Sequence, residues 1–193
     1  MVHQFQCTMR INYWILAVLA IIILSGCGRT QKMHQKAYDY SEAGNYQAAL
    51  EIYQELLKEK PDHALLLNDY GWTLFMADSL ERARQVLNRA KSQRDKGILL
   101  RNIRKNLRIV KAFIQARDHL EGGAPEKAKE IYDELDKSWK THDMRLKYYA
   151  LVHESLGNKE KADEYWQKIV DRYAEADFES SFYQQASQKL NAE

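Results

Sequence analysis

Six histidines, two cysteines and a dense population of carboxylates are the side chains of this chain that could do chemistry. A zinc hydrolase built on a helix needs two histidines four residues apart with a glutamate between them, because that spacing puts both imidazoles on one face. His153-Glu154 lacks the second histidine, and the remaining histidines are dispersed. No GxSxG nucleophile turn, phosphate-cradling P-loop or paired CxxC occurs. The expectation is a protein that is not an enzyme, with no metal. Cys7 and Cys27 both lie near the N-terminus, where a disulfide would staple nothing. Cys27 is placed differently from Cys7: it closes the tetrapeptide Leu24-Ser25-Gly26-Cys27, directly after an uninterrupted apolar run, 15–24, that Arg10 precedes. Both cysteines are therefore read with the targeting segment that holds them.

A spanning helix needs about 20 apolar residues to cross roughly 30 Å of hydrocarbon, and the ten residues of 15–24 reach half of that. The layout is that of a signal peptide. Leu24-Ser25-Gly26-Cys27 resembles the bacterial lipobox. The resemblance implies that residues 1–26 are removed and that the Cys27 thiol carries a diacylglyceryl group, with no cofactor beyond that covalent lipid. Several acyl chains on one cysteine would anchor the protein permanently, since each buried CH₂ contributes about 0.8 kcal/mol. Gly28 stands where the family's sorting pattern puts Asp for inner-membrane retention, so the outer membrane, periplasmic face, is the expected location. A start at Met9 would place Arg10 beside the initiator, and residues 1–8 are then not expected to be made. Residues 27–29 read as the lipidated anchor and a short linker. At no more than about 3.5 Å per residue, that linker keeps the rest of the chain close to its membrane.

The elements behind these residues follow from composition. With 29% charged residues, 8 Gly and 2 Pro, there is little turn material, and long helices are favoured over many strands. Twelve Tyr and four Trp suit helix seams and protein-binding grooves. The formal net charge of +2 becomes +1 once residues 1–26 are removed, which offers no broad phosphate-binding face; nucleic acid is not an expected partner.

Four segments share one design: GNYQAALEIYQEL from Gly44, DSLERARQVLNRA from Asp78, GAPEKAKEIYDEL from Gly123 and GNKEKADEYWQKI from Gly157. Their alanines, Ala49, Ala83, Ala128 and Ala162, lie 34, 45 and 34 residues apart. Small residues there let two helices approach, and Tyr53, Leu87, Tyr132 and Trp166, four residues on, fill the seam. The segments resemble the second helix of the tetratricopeptide repeat, with Pro61 in the place of its terminal proline and Gly71 in that of a first-helix small residue. Asp78 replaces the turn glycine, and later repeats lack the proline. The resemblance implies an all-α, right-handed superhelix of about four hairpins, with repeats near 30–63, 64–94, 109–142 and 143–176. Helices are expected near 31–43, 46–59, 62–77, 80–93, 98–121, 125–138, 141–156 and 159–173. An extension, 95–108, lengthens the helix before repeat three, and a capping helix spans 177–190.

Two surfaces are candidates for binding. The inner face of the first helices, the groove of this family, maps to Leu65, Asn68, Trp72, Phe75 and Met76 in repeat two, Phe113 and Arg117 in repeat three, and Lys147 and Leu151 in repeat four. Trp72 and Phe75 fit either that groove or the core against the next repeat. The groove's polar residues do not reproduce the Lys/Asn clamp with which chaperone-binding members hold a C-terminal carboxylate. On the extended helix Leu100, Ile103, Leu107, Val110 and Ile114 form an apolar stripe, and Arg101, Arg104, Lys105 and Arg108 a basic one. The basic stripe is either a solvated face or a site for an anionic partner, lipid headgroup or acidic protein. NDYGWTLFMADSLERARQVLNRA followed by RNIRKNLRIV resembles the TadD-type lipoproteins of tight-adherence pili, and pilotin-type lipoproteins that escort secretins are a neighbouring class. Protein partners, secretin or pilus assembly components among them, are therefore expected, with an adaptor for peptidoglycan or other envelope enzymes as the alternative.

Overall fold

The computed structural model describes residues 13–94, 96–136 and 143–192, with the backbone alone for residues 13–27 and 136. Cys7, the expected start at Met9 and the junction 137–142 lie outside the described residues, as does Asp95. Over the described residues the chain forms helices joined by short turns, with no strand. They are α1 (Tyr13–Glu42), α2 (Tyr46–Glu59), α3 (Ala64–Met76), α4 (Leu80–Ser92), α5 (Ile98–Glu121), α6 (Pro125–Asp136), α7 (Asp143–Ser155), α8 (Lys159–Tyr173) and α9 (Ser181–Asn191). Turns this short make neighbouring helices antiparallel. Each helix packs on the next, and the odd-numbered ones also touch in succession, α1 with α3, α3 with α5, α5 with α7 and α7 with α9. The four repeated segments supply α2, α4, α6 and α8.

Local chemistry explains the pairing. The four segments begin at a residue in the left-handed region: Gly44 (φ 85°), Asp78 (φ 58°), Gly123 (φ 75°) and Gly157 (φ 72°). Asn45 and Asn158 follow two of these and cap the next helix, their Oδ1 accepting from the backbone N–H of Ala48 and of Lys161, each at 3.3 Å. Ala49, Ala83, Ala128 and Ala162 are buried, as are Tyr53, Leu87, Tyr132 and Trp166. Gly71 serves the same close approach from the first-helix side, since a β-carbon there would stand 2.8 Å from Cγ of Leu87.

Helix α5 runs parallel to α3 and in register with it. Asn106 donates to Asn68 at 3.1 Å, and seven residues on in both helices the rings of Phe75 and Phe113 meet edge to face at 5.0 Å. The extra length of α5 therefore overhangs α3 by about one turn at its start and about two at its end. Eleven added residues are close to three turns, so the buried face of α5 (Leu100, Ile103, Leu107, Val110, Phe113) stays continuous.

The stack also closes on itself. Asp143, fully buried at the start of α7, accepts through Oδ2 from the hydroxyl of Tyr46 in α2 at 2.7 Å and of Tyr173 in α8 at 2.5 Å. Nε of Arg172 stands 3.2 Å from Oδ1. Burial, then the Asp143 charge, raise both tyrosines well above their ordinary pKa, so they remain donors. The ring of Phe182 in α9 meets Tyr46 edge to face at 6.1 Å.

Two expected boundaries are corrected. Residues 27–29 are not a linker, because α1 is continuous from Tyr13 to Glu42. The capping helix begins at Ser181 instead of 177: Ser180 is extended and its Oγ accepts from the N–H of Tyr183 at 3.4 Å, starting the helix there. Residues 177–180 instead carry the Phe178 ring to Tyr173, edge to face at 6.0 Å. Among the described residues, no helix is long and apolar enough to cross a membrane.

Candidate functional site

The inner face holds a cleft of about 430 Å³ between the α3–α4 turn, the overhanging end of α5, α7 and α9. It is lined by Asp78, Arg117, Leu120, Glu121, Lys147, Tyr148, Leu151, Glu154, Ser155 and Gln185. Three of the groove candidates, Arg117, Lys147 and Leu151, come together here. Their positions follow from the elements: the two-turn overhang of α5 carries Arg117 past the end of α3, and α7 presents Lys147 and Leu151 one turn apart.

The cleft is charged and internally paired. Lys147 Nζ donates to Asp78 Oδ2 at 2.5 Å, and the Tyr148 hydroxyl donates to Oδ1 at 3.0 Å. Arg117 reaches Asp118 at 3.0 Å and Glu81 at 3.5 Å, and its guanidinium is held further in its charged form first by the Asp118 hydrogen bond. Glu154 accepts from Trp166 Nε1 at 2.8 Å and from Lys189 Nζ at 2.7 Å. Burial, followed by the Asp78 charge, raises the Tyr148 phenol and keeps it a donor. These groups hold one another, which suits recognition of a polar, charged segment more than proton transfer. Among the described residues no group of three or more His, Cys, Asp or Glu could hold a metal ion.

The other groove candidates lie elsewhere. Phe75 (0% exposed) and Phe113 (1%) are core, together with Met76, and Asn68 is buried against Asn106. These correct the groove reading: α5 packs in register on α3, so the α3 face expected to be open is covered. Phe113 forms an aromatic cluster with Phe75, Tyr132 and Tyr148, at ring separations of 5.0, 5.0 and 5.6 Å. Trp72 is half-buried, its ring 4.9 Å from Phe75, and packs on the core. Leu65 is exposed (38%) and stands apart from the cleft. Arg101, Arg104, Lys105 and Arg108 are exposed on α5, while Leu100, Ile103, Leu107 and Val110 are buried beneath them. Side chains of Leu24, Ser25, Gly26 and Cys27 fall outside those described; their backbone belongs to α1.

Asp78 is the residue the groove mapping missed. Its signal is the departure already visible in the sequence, an aspartate where the other segments open on glycine. A non-glycine residue at φ 58° is disfavoured, and here the carboxylate gains Lys147 and Tyr148 in compensation.

Two tetratricopeptide-repeat family models match the chain, over residues 40–107 and 148–176. The chain belongs to the tetratricopeptide-repeat family, an all-helical fold of protein-interaction scaffolds. Among solved structures it is similar to a tetratricopeptide repeat protein from Parabacteroides merdae, at 15% identity over 96% of this chain and 86% of that one, TM-score 0.47. It is also similar to pilF of Pseudomonas aeruginosa, at 16% identity over 83% and 82% of the two chains, TM-score 0.37. No curated protein matches the chain.

Proposed function

We propose that this protein is a lipid-anchored scaffold of the bacterial envelope that binds other proteins during assembly of a pilus or secretion machine. The cleft carries the binding part of this reading: Arg117, Lys147 and Leu151 converge with Asp78 and Glu154 on the inner face of a tetratricopeptide stack. A cleft with cations, carboxylates and an apolar floor suits an extended or helical peptide segment of a partner protein. The anchor rests on the lipobox resemblance at Cys27 and the short apolar run before it. The machine rests on the resemblance of 68–90 and 101–110 to TadD-type lipoproteins. An adaptor for peptidoglycan enzymes would use the same anchor and cleft with a different guest.

A photo-crosslinking residue at Leu151, in the full-length protein in bacterial membranes, tests the reading. The expected adduct is a secretin or pilus assembly component, lost in a folded Arg117→Glu/Lys147→Glu variant. An adduct with a cell-wall hydrolase would transfer the cleft to the enzyme-adaptor reading, and no adduct from Leu151 alongside one from Leu65 would move the binding face. Replacement of Cys27 by Ser should leave the precursor uncleaved, as read by its mass.

A further inference from the structure

From Arg82 to Arg117 the sequence holds twelve Lys and Arg and one acid, Asp95, leaving seventeen cations against twenty-six acids in the rest of the chain. Near-neutral overall charge hides a strongly polarised molecule. Arg82, Arg84, Arg89 and Arg117 have partners within the fold: the Tyr70 hydroxyl, Glu81, Asp62 and Asp118. The other eight, from Lys91 to Lys111, form no ion pair with a described residue, and all are exposed on the end of α4, the turn after it and the outer face of α5. Side chains of Lys91, Arg104, Arg108 and Lys111 ring a shallow depression of about 470 Å³ between α4 and α5. A field of like charges with no acid among the described residues between them is a binding surface for anions.

The fold also fixes where this surface lies. Lys60 Nζ, at the end of α2, is 3.5 Å from Oγ1 of Thr30 in α1, and Arg89 near the end of α4 donates to the Pro61 carbonyl at 2.8 Å. The stretch of α1 around Thr30, the α2–α3 turn and the end of α4 therefore share one edge, and α5 starts from that edge with a one-turn overhang. Its first residue, Ile98, is the most exposed large apolar side chain described, at 69%. At the same edge α1 continues without a break toward residue 27 and the apolar run.

We propose that the α4–α5 corner is a membrane-docking surface for anionic phospholipid headgroups. Arg101, Arg104, Lys105, Lys91 and Lys96 meet the phosphates, and Ile98 enters the headgroup layer. Basic residues near an anionic bilayer add attraction one by one, and an apolar side chain at the rim suits the interface. The cleft sits at the opposite end of α3 and α5, with Asp78 and Arg117, and is therefore held away from the lipid. The inference rests on the proposed anchoring at Cys27.

The test uses full-length protein purified from bacterial membranes, with a fluorophore on Ser92→Cys, reconstituted into vesicles of phosphatidylcholine alone or mixed with phosphatidylglycerol and containing a headgroup-attached quencher. Quenching should be strong only with phosphatidylglycerol and should fade with added salt. In Arg101→Glu/Arg104→Glu/Lys105→Glu the docked-to-undocked ratio should fall about tenfold or more while helicity is unchanged. Equal quenching on both vesicles, or none on either, overturns the proposal; loss of a co-purifying acidic protein in the charge-reversed variant would then assign the corner to that partner. The mass at Cys27 and retention of the chain on vesicles report on the anchor separately, so failure of anchoring and failure of docking give different results.

Discussion

The hydroxyl of Tyr46 in α2 donates to Oδ2 of Asp143 in α7 at 2.7 Å, joining residues 97 positions apart. Tetratricopeptide arrays are ordinarily stabilised by contacts between neighbouring repeats. Here the first hairpin also closes on the fourth. Asp143→Ala would strand two buried phenols and leave Arg172 without its carboxylate, and should cost about 3 kcal/mol or more. Tyr46→Phe removes one donor and should cost about 1 kcal/mol. Urea unfolding followed by circular dichroism checks both, and equal, negligible losses would mean that the closure does not form in solution.

Gly44 lies beside that closure and is constrained twice. Its φ of 85° is unfavourable for any side chain, and an added β-carbon would fall 2.4 Å from the Tyr173 hydroxyl. Gly157, at φ 72°, has open space around it. Gly157→Ala should cost about 1 kcal/mol, and Gly44→Ala measurably more in the same urea titration. Identical losses would show that Tyr173 yields freely.

Phe113 and Leu65 both belonged to the expected groove, and the fold separates them. Phe113→Ala opens a cavity among Phe75, Tyr132 and Tyr148 and should cost about 3–5 kcal/mol. Leu65→Ala, on an exposed side chain, should stay within about 1 kcal/mol. Thermal denaturation of the two variants distinguishes core from surface, and the reverse order would restore the open groove.

Asp78→Gly exchanges a charged anchor for an unstrained turn. The backbone gains what the left-handed conformation had cost, while Lys147 and Tyr148 lose their acceptor. Stability should change by no more than about 1 kcal/mol, and the cleft should become more positive, weakening capture of any partner that reads its Asp78 edge. The pair of measurements is a melting temperature and the Leu151 crosslink yield. A large drop in stability would make Asp78 structural first.

His153 is buried, stacked on the Tyr165 ring at a 5.7 Å separation, and its Nδ1 meets no hydrogen-bond partner among the described residues. Burial first, then Lys161 and Lys129, hold its pKa below 6.5, against the opposing pull of Asp133 and Glu164. The unfolded chain therefore takes up the proton more readily than the folded one. Stability is full above about pH 6.5 and falls as the pH drops below it, with a slope of at most about 1.4 kcal/mol per pH unit. His63, also held low chiefly by burial, adds in the same direction. Urea midpoints from pH 7.5 to 5 should show a shallower slope in His153→Gln; an unchanged slope would place the effect elsewhere.

The fold was legible because repetition exposes it. Ala49, Ala83, Ala128 and Ala162, with a large residue four positions on in each case, mark a helix seam without any long-range information, and all eight residues are buried. What periodicity could not give is how repeats meet across the stack. Nothing in the neighbourhood of Tyr46 announces Asp143, and nothing near Phe75 shows that the lengthened α5 will lie in register with α3 and cover it. The cleft was legible in part, through Arg117, Lys147 and Leu151, because their helix faces follow from local spacing. Asp78 was written in the sequence as a broken rule, and its meaning appeared only once the fold brought Lys147 to it.

Helix α1 passes through residues 27–29 without a break. If the proposed acylation at Cys27 holds, the protein has essentially no tether radius. It cannot sweep the surrounding volume as a domain on a loose leash does. Encounters with other membrane-held proteins become a search in two dimensions at a fixed height, where effective concentration is set by lateral density instead of linker length. A scaffold of this kind favours guests that present their segment close to the bilayer.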